Sequence, residues 1–399
     1  MKLLFDSTIL SYFNQKNGYR AGVFFVGLNI FKELKKRNID ITFHCDYKRY
    51  YIMKTISEFS DIPLLEEHSL LNKFIAWLIY KTDNLSNRKI KYAFLILARY
   101  YDKYLYKINK KNSKDIEKFD AYFSPFTPPS KEIEQSDIKK FRMLHDIIPI
   151  LENGYPKSPK DWYYEIYTTI SNKNNNYYLA NSECTKQDIL KFFDIEKDNI
   201  KTILLGADDK FCPKEKTSNE KYVLSLCTLG KRKNLIFAIK NFFDFINTNN
   251  INDLKMVLAG GIWQKFEKEL KSAIGDFDKT KLKFLGYVED EKLPELYSNA
   301  MMFVYPSLYE GFGLPVLEAM KCGCPVITSN TSSLPEVIGQ AGILIDPTND
   351  NELKEAYKKL YENTFFREFC KERGLIRAKN FNWEKTTSEL IKFIETKCS

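Results

Sequence analysis

Histidine, closely paired cysteines and long apolar segments are rare or missing in this sequence. Only three histidines occur among 399 residues, and the eight cysteines show no Cys-x2-Cys spacing. We therefore predict neither a zinc site nor a disulfide framework, and we interpret the cysteines as reduced thiols. The longest apolar runs, 74–80 and 92–98, are far shorter than the roughly 20 residues of a membrane-spanning helix. Asp6 interrupts the N-terminus before a signal peptide could form, so we expect a cytoplasmic protein.

Arginine is scarce as well, although the chain is basic. The 61 lysines and arginines exceed the 52 acidic residues by nine, yet only ten of them are arginines. Proteins that read nucleic acids rely on arginine for base edges and phosphates, so we predict no nucleic-acid partner. With 44% hydrophobic and 15% aromatic residues the chain can bury a large core, and its length indicates two or three domains.

Short apolar runs alternate with amphipathic stretches along the whole chain. Continuous apolar runs of this length are typical of strands buried on both faces of a parallel sheet. Helical periodicity fills the intervals, for example over 26–34, 238–246 and 352–360. Repeated β-α units of this kind predict α/β doubly wound, Rossmann-like domains. The predicted strands span 2–5, 39–45, 121–123, 141–144, 177–180, 201–205, 222–226, 254–258, 282–285, 301–305, 325–328 and 342–345.

A polar stretch over 206–221, between the sixth and seventh predicted strands, marks a domain boundary. We predict an N-terminal domain over 1–206 and a C-terminal domain over 207–380, followed by a final segment over 381–399. Ligands of such sheets bind beyond the carboxyl ends of the strands. Two facing domains of this type therefore predict an active site in the cleft between them.

The region 70–118 differs in composition from the rest of the chain. It has 12 basic residues against 4 acidic ones, together with nine aromatic residues. Basic and aromatic residues at helical spacing are typical of a helix that rests on an anionic membrane surface. This predicts a peripheral protein on the inner face of the plasma membrane. The alternative is a helical excursion packed on its own domain with a solvated lysine face.

The most informative stretch, over 305–320, reads YPSLYEGFGLPVLEAM. It predicts a strand, a glycine-containing loop and a helix that begins near Leu314, where a proline in the first turn costs no hydrogen bond. Gly311 and Gly313 allow backbone amides to approach a ligand closely, and the helix N-terminus favours an anion. Glu310, in the loop, could accept hydrogen bonds from hydroxyl groups.

The string EGFGLPVLEAM over 310–320, with two glutamates separated by seven residues, resembles the signature of retaining glycosyltransferases of family 4. The likeness covers most of 222–350 and is thin in the N-terminal half. It implies a GT-B fold, in which two Rossmann-like domains enclose a nucleotide-sugar site and the helix after 381–384 crosses back onto the N-terminal domain. Further matching segments are LGKRKNL at 229–235, KFLGYV at 283–288, LPELY at 293–297 and SSLPEV at 332–337.

The resemblance also implies roles for single residues. Lys233 and its neighbour Arg232 would meet the donor diphosphate, and Glu318 would hold the ribose hydroxyls. The loop from Glu310 to Leu314 would hold the transferred sugar through its carboxylate and backbone amides. The residues expected to take part in catalysis are Glu310, His145 and Lys233. Those expected to bind the donor are Arg232, Lys233, Gly311, Phe312, Gly313, Leu314, Glu318, Tyr287 and Gly22.

Two residues depart from the family pattern. Thr228 stands where many relatives carry an arginine for the diphosphate. Phe24 replaces a second small residue after Gly22. The resemblance therefore does not settle how that loop contacts the acceptor.

We expect no metal and no cofactor, the nucleoside-diphosphate sugar being a substrate. Cleavage of a sugar–phosphate bond leaves a diphosphate on which negative charge grows. Fixed cations and a helix N-terminus stabilise such charge by several kcal/mol without a metal. The one Asp-x-Asp pattern, over 276–278, lies in a polar segment and is of low specificity.

The function implied by the resemblance is that of a retaining hexosyltransferase. Its acceptor would be a glycan or a lipid-linked glycan in lipopolysaccharide O-antigen or capsule assembly. GDP-mannose is the first donor considered, because the Lys233-Asn234 and SSLPE patterns resemble mannosyltransferases, and a UDP-sugar is the alternative. A non-catalytic nucleotide-binding partner subunit is an alternative from another class, and an epimerase of nucleotide sugars fits the two-glutamate string less well.

Overall fold

A computed structural model describes most of the chain. The described residues are 1–13, 22–45, 49, 52–53, 56–65, 113–161, 163–171, 175–217, 219–226, 230–260 and 263–399. Most of the region 70–118, for which we predict membrane contact, lies outside these residues, as does Thr228.

Two parallel six-stranded sheets form the framework of the described chain. Their strand orders are β2-β1-β3-β4-β5-β6 and β12-β11-β10-β7-β8-β9. All twelve predicted runs overlap an observed strand, so the predicted α/β, doubly wound architecture is confirmed. The strands are β1 Lys2–Asp6, β2 Asp40–His44, β3 Ala121–Ser124, β4 Lys139–Leu144, β5 Asn176–Ala180, β6 Ile200–Thr202, β7 Lys221–Leu226, β8 Leu254–Ala259, β9 Leu282–Gly286, β10 Met302–Tyr305, β11 Val326–Ser329 and β12 Ile343–Ile345.

Helices lie between and around the strands of both sheets. The inner strands of each sheet are buried on both faces, because their apolar side chains pack against helices on both sides, and every residue of β3 and β10 is buried. The described α-helices are α1 Gly22–Lys36, α2 Ser113–Ile116, α3 Lys131–Gln135, α4 Ile148–Asn153, α5 Tyr164–Thr168, α6 Glu183–Phe192, α7 Leu235–Thr248, α8 Trp263–Ile274, α9 Leu293–Asn299, α10 Leu314–Lys321, α11 Leu334–Ile338, α12 Asp350–Glu362, α13 Thr364–Ala378 and α14 Trp383–Cys398.

The last helix, α14, packs against the first sheet. The ring of Phe393 meets Phe141 of β4 edge-on, with centroids 5.6 Å apart, and Thr386 donates its hydroxyl hydrogen to the carbonyl of Leu204 at 2.7 Å. β6 ends at Thr202, earlier than the sequence predicts, although the N–H of Ile203 still donates to the carbonyl of Ala180 in β5 at 2.8 Å. The domain bounds at 206 and 380 stay a prediction.

The strand orders indicate where a ligand would bind. In the second sheet the order reverses between β7 and β10, the first and fourth strands of that half. In doubly wound sheets the crevice at the carboxyl ends of such neighbours is the usual ligand site. Within the described parts of the chain, no helix is both long and apolar enough to span a membrane.

Candidate active site

A buried carboxylate lies between two cations at the carboxyl ends of β7 and β10. A 3-10 turn, Lys231–Lys233, follows β7, and Glu310 follows β10. Oε1 of Glu310 lies 2.6 Å from Nζ of Lys233 and 2.8 Å from Nη1 of Arg232. Glu310 is only 8% exposed. Strands far apart in sequence thus bring the three charged side chains together at the reversal point of the sheet.

The electrostatics of this cluster favour the charged forms of Glu310 and Arg232. Burial disfavours the ionised form of Glu310, but Lys233 and Arg232 outweigh it and hold the pKa of the carboxyl below its usual range. Burial alone would lower the pKa of Arg232, yet the adjacent carboxylate raises it. Lys233 also donates to the hydroxyl of Tyr305 and lies 4.8 Å from the centre of that ring. The site therefore offers two fixed positive charges.

Serines from the β11–α11 loop hold the loop that carries Glu310. Ser333 donates its hydroxyl hydrogen to the carbonyls of Glu310 and Phe312, each at 2.9 Å. Ser332 accepts a hydrogen bond from the N–H of Glu310 at 3.0 Å. The side chain of Phe312 is buried and meets the ring of Phe381 edge-on. Phe312 can therefore contact a ligand only through its backbone.

Helix α10 begins at Leu314, as predicted, directly after a glycine in the left-handed region. Gly313 has φ of 105°, and a Cβ on it would lie 2.8 Å from Leu334. A residue with a side chain would be strained there. This turn places the N-terminal end of α10 at the carboxyl edge of the sheet. Pro315 has no N–H, and the N–H groups of Val316 and Leu317 donate to the carbonyl of Gly313 at 3.0 and 3.3 Å.

The first sheet contributes His145 and Asp146, which follow β4. Nε2 of His145 lies 2.7 Å from the carbonyl oxygen of Pro125. Because a carbonyl only accepts, Nε2 carries the proton and Nδ1 is the unprotonated nitrogen. Burial lowers the pKa of His145 to about 4, so the ring is neutral at pH 7. It can accept a hydrogen bond from a hydroxyl, but it brings no positive charge.

Asp146 is a buried carboxyl group to which the sequence assigned no role. Burial raises its pKa, and its electrostatic neighbours include Arg232, Lys233 and Glu310 of the second sheet. Oδ1 accepts a hydrogen bond from the N–H of Ile148 at 2.9 Å. Its position directly after His145 was the only sequence signal that could have indicated it.

Two predicted glycines lie where the sheets approach each other. A Cβ on Gly311 would lie 2.0 Å from the carbonyl oxygen of His145, and one on Gly22 would lie 3.5 Å from Leu314. The structure thus brings Gly311, His145, Gly22 and Leu314 to one cleft. Tyr287 lies apart, at the carboxyl end of β9, with 56% of its surface exposed.

Glu318 occupies a second environment, separate from the Glu310 cluster. It lies on α10, and its Oε2 accepts a hydrogen bond from the hydroxyl of Tyr297 at 3.1 Å. Burial raises the pKa of this carboxyl to about 7, with nearby Lys210 acting in the opposite direction. A cavity of about 50 Å³ adjoins Glu318, lined also by Phe25, Lys210 and Asp290.

The raised pKa of Glu318 predicts a pH-dependent stability. The ordinary glutamate pKa is 4.5 and that of Glu318 in the folded protein is about 7. The folded protein therefore retains a proton that the unfolded chain releases, and stability falls as pH rises through this window. Glu318→Gln cannot ionise. The free energy of unfolding of Glu318→Gln relative to wild type should therefore rise by about 2 kcal/mol from pH 5 to pH 8, as measured by urea unfolding. An equal difference at both pH values would contradict the shift.

The structure gives little support to a metal at the Asp-x-Asp pattern. Asp278 caps the 3-10 turn Lys279–Lys281 that precedes β9, so it lies at the amino end of that strand, away from the cluster. In the described ranges no group of three or more His, Cys, Asp or Glu side chains could hold a metal ion.

Comparison with known sequences finds a family model that matches the second half of the chain. The model of glycosyl transferases group 1 matches residues 207–377. The chain is 33% identical over 231 residues to O-antigen chain mannosyltransferase B of Escherichia coli, covering 53% of this chain and 58% of that protein. It is 30% identical over 260 residues to the serotype-specific mannosyltransferase WbdA of Escherichia coli, covering 61% of this chain and 32% of that one. The chain thus spans between about a third and three fifths of these relatives.

Solved structures match along the whole chain. Anabaena HepE, in complex with UDP and glucose, has a TM-score of 0.66 at 16% identity and covers 99% of both chains. WaaG, a glycosyltransferase involved in lipopolysaccharide biosynthesis, has a TM-score of 0.64 at 13% identity, over 98% of this chain and 99% of that one. At these identities the likeness shows that the chain shares their fold.

Proposed function

We propose that the protein is a retaining hexosyltransferase. It moves a hexose from a nucleoside-diphosphate sugar to a glycan or lipid-linked glycan acceptor in cell-surface polysaccharide synthesis. The premise is that the chain has the GT-B fold, as predicted, and that residues 207–377 match the model of glycosyl transferases group 1. The single observation that carries the proposal is the cluster of Lys233, Arg232 and Glu310 at the reversal point of the second sheet.

The cluster suits the leaving group of such a reaction. When the bond between the anomeric carbon and the phosphate oxygen breaks, negative charge accumulates on the diphosphate. Lys233 and Arg232 are fixed beforehand by Glu310, so they need not reorganise as that charge develops. The N-terminal end of α10, the positive end of the helix dipole, lies at the same edge. No metal is needed for this stabilisation.

Glu310 and His145 would hold the sugar. The carboxylate of Glu310 has a second oxygen available for sugar hydroxyls, since both cations contact Oε1. His145, neutral and with Nε2 bonded to Pro125, would accept a hydroxyl hydrogen at Nδ1. The acceptor hydroxyl would attack the anomeric carbon from the side that the diphosphate leaves, and its proton would pass to the departing phosphate oxygen. Configuration is then retained without a covalent intermediate on the protein.

The remaining donor-binding roles are those that the resemblance implies. Glu318, in its own environment on α10, would accept hydrogen bonds from the ribose hydroxyls. Gly22, at the start of α1 and facing Leu314, would border the phosphates. Exposed Tyr287 would border the nucleobase.

GDP-mannose is the first donor that we propose. The support is that the relatives at 33% and 30% identity are O-antigen and serotype-specific mannosyltransferases. A UDP-sugar is the alternative, and HepE, whose structure contains UDP and glucose, has the same fold. Contact of the region 70–118 with an anionic membrane stays a prediction.

A thermal-shift panel tests the donor and the metal together. Purified protein in excess EDTA is heated with UDP, GDP, ADP and their common sugar conjugates. A nucleotide at 100 times its dissociation constant should stabilise the fold by about 2.7 kcal/mol, which raises the melting temperature by a few degrees. We expect GDP and GDP-mannose to stand out. A shift with UDP alone would favour the alternative donor, and a shift only after divalent metal is added would contradict metal independence.

A transfer assay separates the enzyme from a non-catalytic partner subunit. With the nucleotide identified, release of nucleoside diphosphate is followed in the presence of a polysaccharide or lipid-linked acceptor. The enzyme produces an α-linked product from an α-configured donor. Nucleotide binding without turnover on any acceptor would support the partner subunit.

A further inference from the structure

The first turn of α6 joins the two halves of the molecule. Glu336, on α11 of the second half, accepts hydrogen bonds from the N–H of Glu183 at 2.8 Å and the N–H of Cys184 at 2.7 Å, one at each carboxylate oxygen. The first N–H groups of a helix have no partner within it and carry partial positive charge. A carboxylate from the opposite half therefore satisfies two of them.

The same turn also holds the loop that carries Glu310. Ser182, which precedes α6, accepts from the N–H of Thr185 at 3.0 Å and donates its hydroxyl hydrogen to the carbonyl of Gly311 at 2.7 Å. Thr185 donates to the same carbonyl at 3.1 Å. One helical turn of the first half thus contacts both Glu336 and the residue next to Glu310.

Helix α11 is fixed to the rest of its own half. Arg377, on α13, donates to the carbonyl of Glu336 at 2.6 Å and to that of Val337 at 3.1 Å. At the other end of α11, Ser333 donates to the carbonyl of Glu310. Glu336 therefore moves with the Glu310 loop, and its carboxylate links that loop to α6.

We propose that Glu336 is a positioning residue for the transfer reaction. Its two hydrogen bonds to α6 set the separation of the halves, so that His145 and the Glu310 cluster meet across the cleft. Glu336 does not touch the reacting groups and acts through Gly311 and Glu310. The expected effect on turnover rests on the proposed transferase function. The link between Glu336 and α6 does not depend on that function.

The test uses Glu336→Gln, which keeps the size of the side chain but retains only one acceptor oxygen. The matched control is Glu183→Gln in the same helical turn. The carboxylate of Glu183 contacts only its own half, through Thr202 at 2.7 Å and Gln187 at 2.6 Å. Both full-length variants are compared by hydrogen exchange of the peptide around 183–185, by nucleoside-diphosphate affinity, and by kcat and the acceptor KM.

For Glu336→Gln we expect at least tenfold faster exchange at the 183–185 amides, a kcat about tenfold lower and a raised acceptor KM. The nucleotide dissociation constant should stay within twofold, because the side chains proposed to bind the diphosphate and the ribose, Lys233, Arg232 and Glu318, all lie in the second half. The control Glu183→Gln should match wild type in hydrogen exchange, nucleotide affinity, kcat and acceptor KM. Unchanged exchange and kinetics would overturn the proposal, and so would a fall in nucleotide affinity and melting temperature in step with kcat, the mark of a merely structural role. If the wild-type protein turns over no donor, the proposed transferase function is wrong. Hydrogen exchange at 183–185 still tests whether Glu336 links the two halves.

Discussion

Lys233→Ala should lower kcat by a factor on the order of 100, with folding intact. The ammonium group of Lys233 lies 2.6 Å from Glu310 and is one of two cations in the cluster. Its loss removes a charge aimed at the leaving diphosphate and leaves Oε1 of Glu310 bound by Arg232 and the hydroxyl of Ser307. The effect should appear mainly in kcat, because the diphosphate carries more negative charge in the transition state than in the bound donor. Steady-state kinetics with saturating donor measures it.

Lys231→Ala is the matched control for this variant. Lys231 belongs to the same 3-10 turn, but it is exposed. It should retain wild-type turnover and melting temperature. Full activity in Lys233→Ala would contradict the proposed role of the cluster. An equal loss in both variants would mean that the turn as a whole is needed and that the charge of Lys233 is not.

The strands and the loop before α10 could be predicted because their signals are local. An apolar run such as 302–305 is buried on both faces whatever the rest of the fold, since neighbouring strands and helices cover it. The glycine before α10 is a local requirement too, because Gly313 adopts a positive φ that other residues avoid. These features depend on residues within a few positions of each other.

The sequence could not predict contacts that depend on tertiary distance. The separation of the two motif glutamates into different environments follows from Tyr297, which lies on another helix and bonds Glu318. The neutral state of His145 follows from burial and from the carbonyl of Pro125. The hydrogen bond from Thr386 of α14 to the carbonyl of Leu204 joins residues 182 positions apart in the chain. Each depends on how distant segments pack, which no local pattern encodes.

The sequence identified Gly311 as a site residue, but it indicated only one of the two reasons why a glycine is needed there. The sequence predicted a glycine that lets backbone amides approach the donor sugar. The structure adds a second constraint, because a Cβ on Gly311 would lie 2.0 Å from the carbonyl oxygen of His145. This overlap is with backbone, so no side-chain rotation can relieve it. The carbonyl of Gly311 is also held by Ser182 and Thr185 from the first half.

Gly311→Ala should therefore lower kcat/KM by a factor on the order of 100, a loss of about 3 kcal/mol in transition-state stabilisation. Relief of the overlap must either move the Glu310 loop or separate the halves, and both remove His145 from the cluster. Gly230→Ala is the control in the opposing loop: its Cβ would meet nothing within 4 Å, and its φ of −84° suits any residue. Hydrogen exchange at 183–185 should rise in Gly311→Ala alone. Wild-type turnover in that variant would show that the two halves need not meet at this contact for the reaction to proceed.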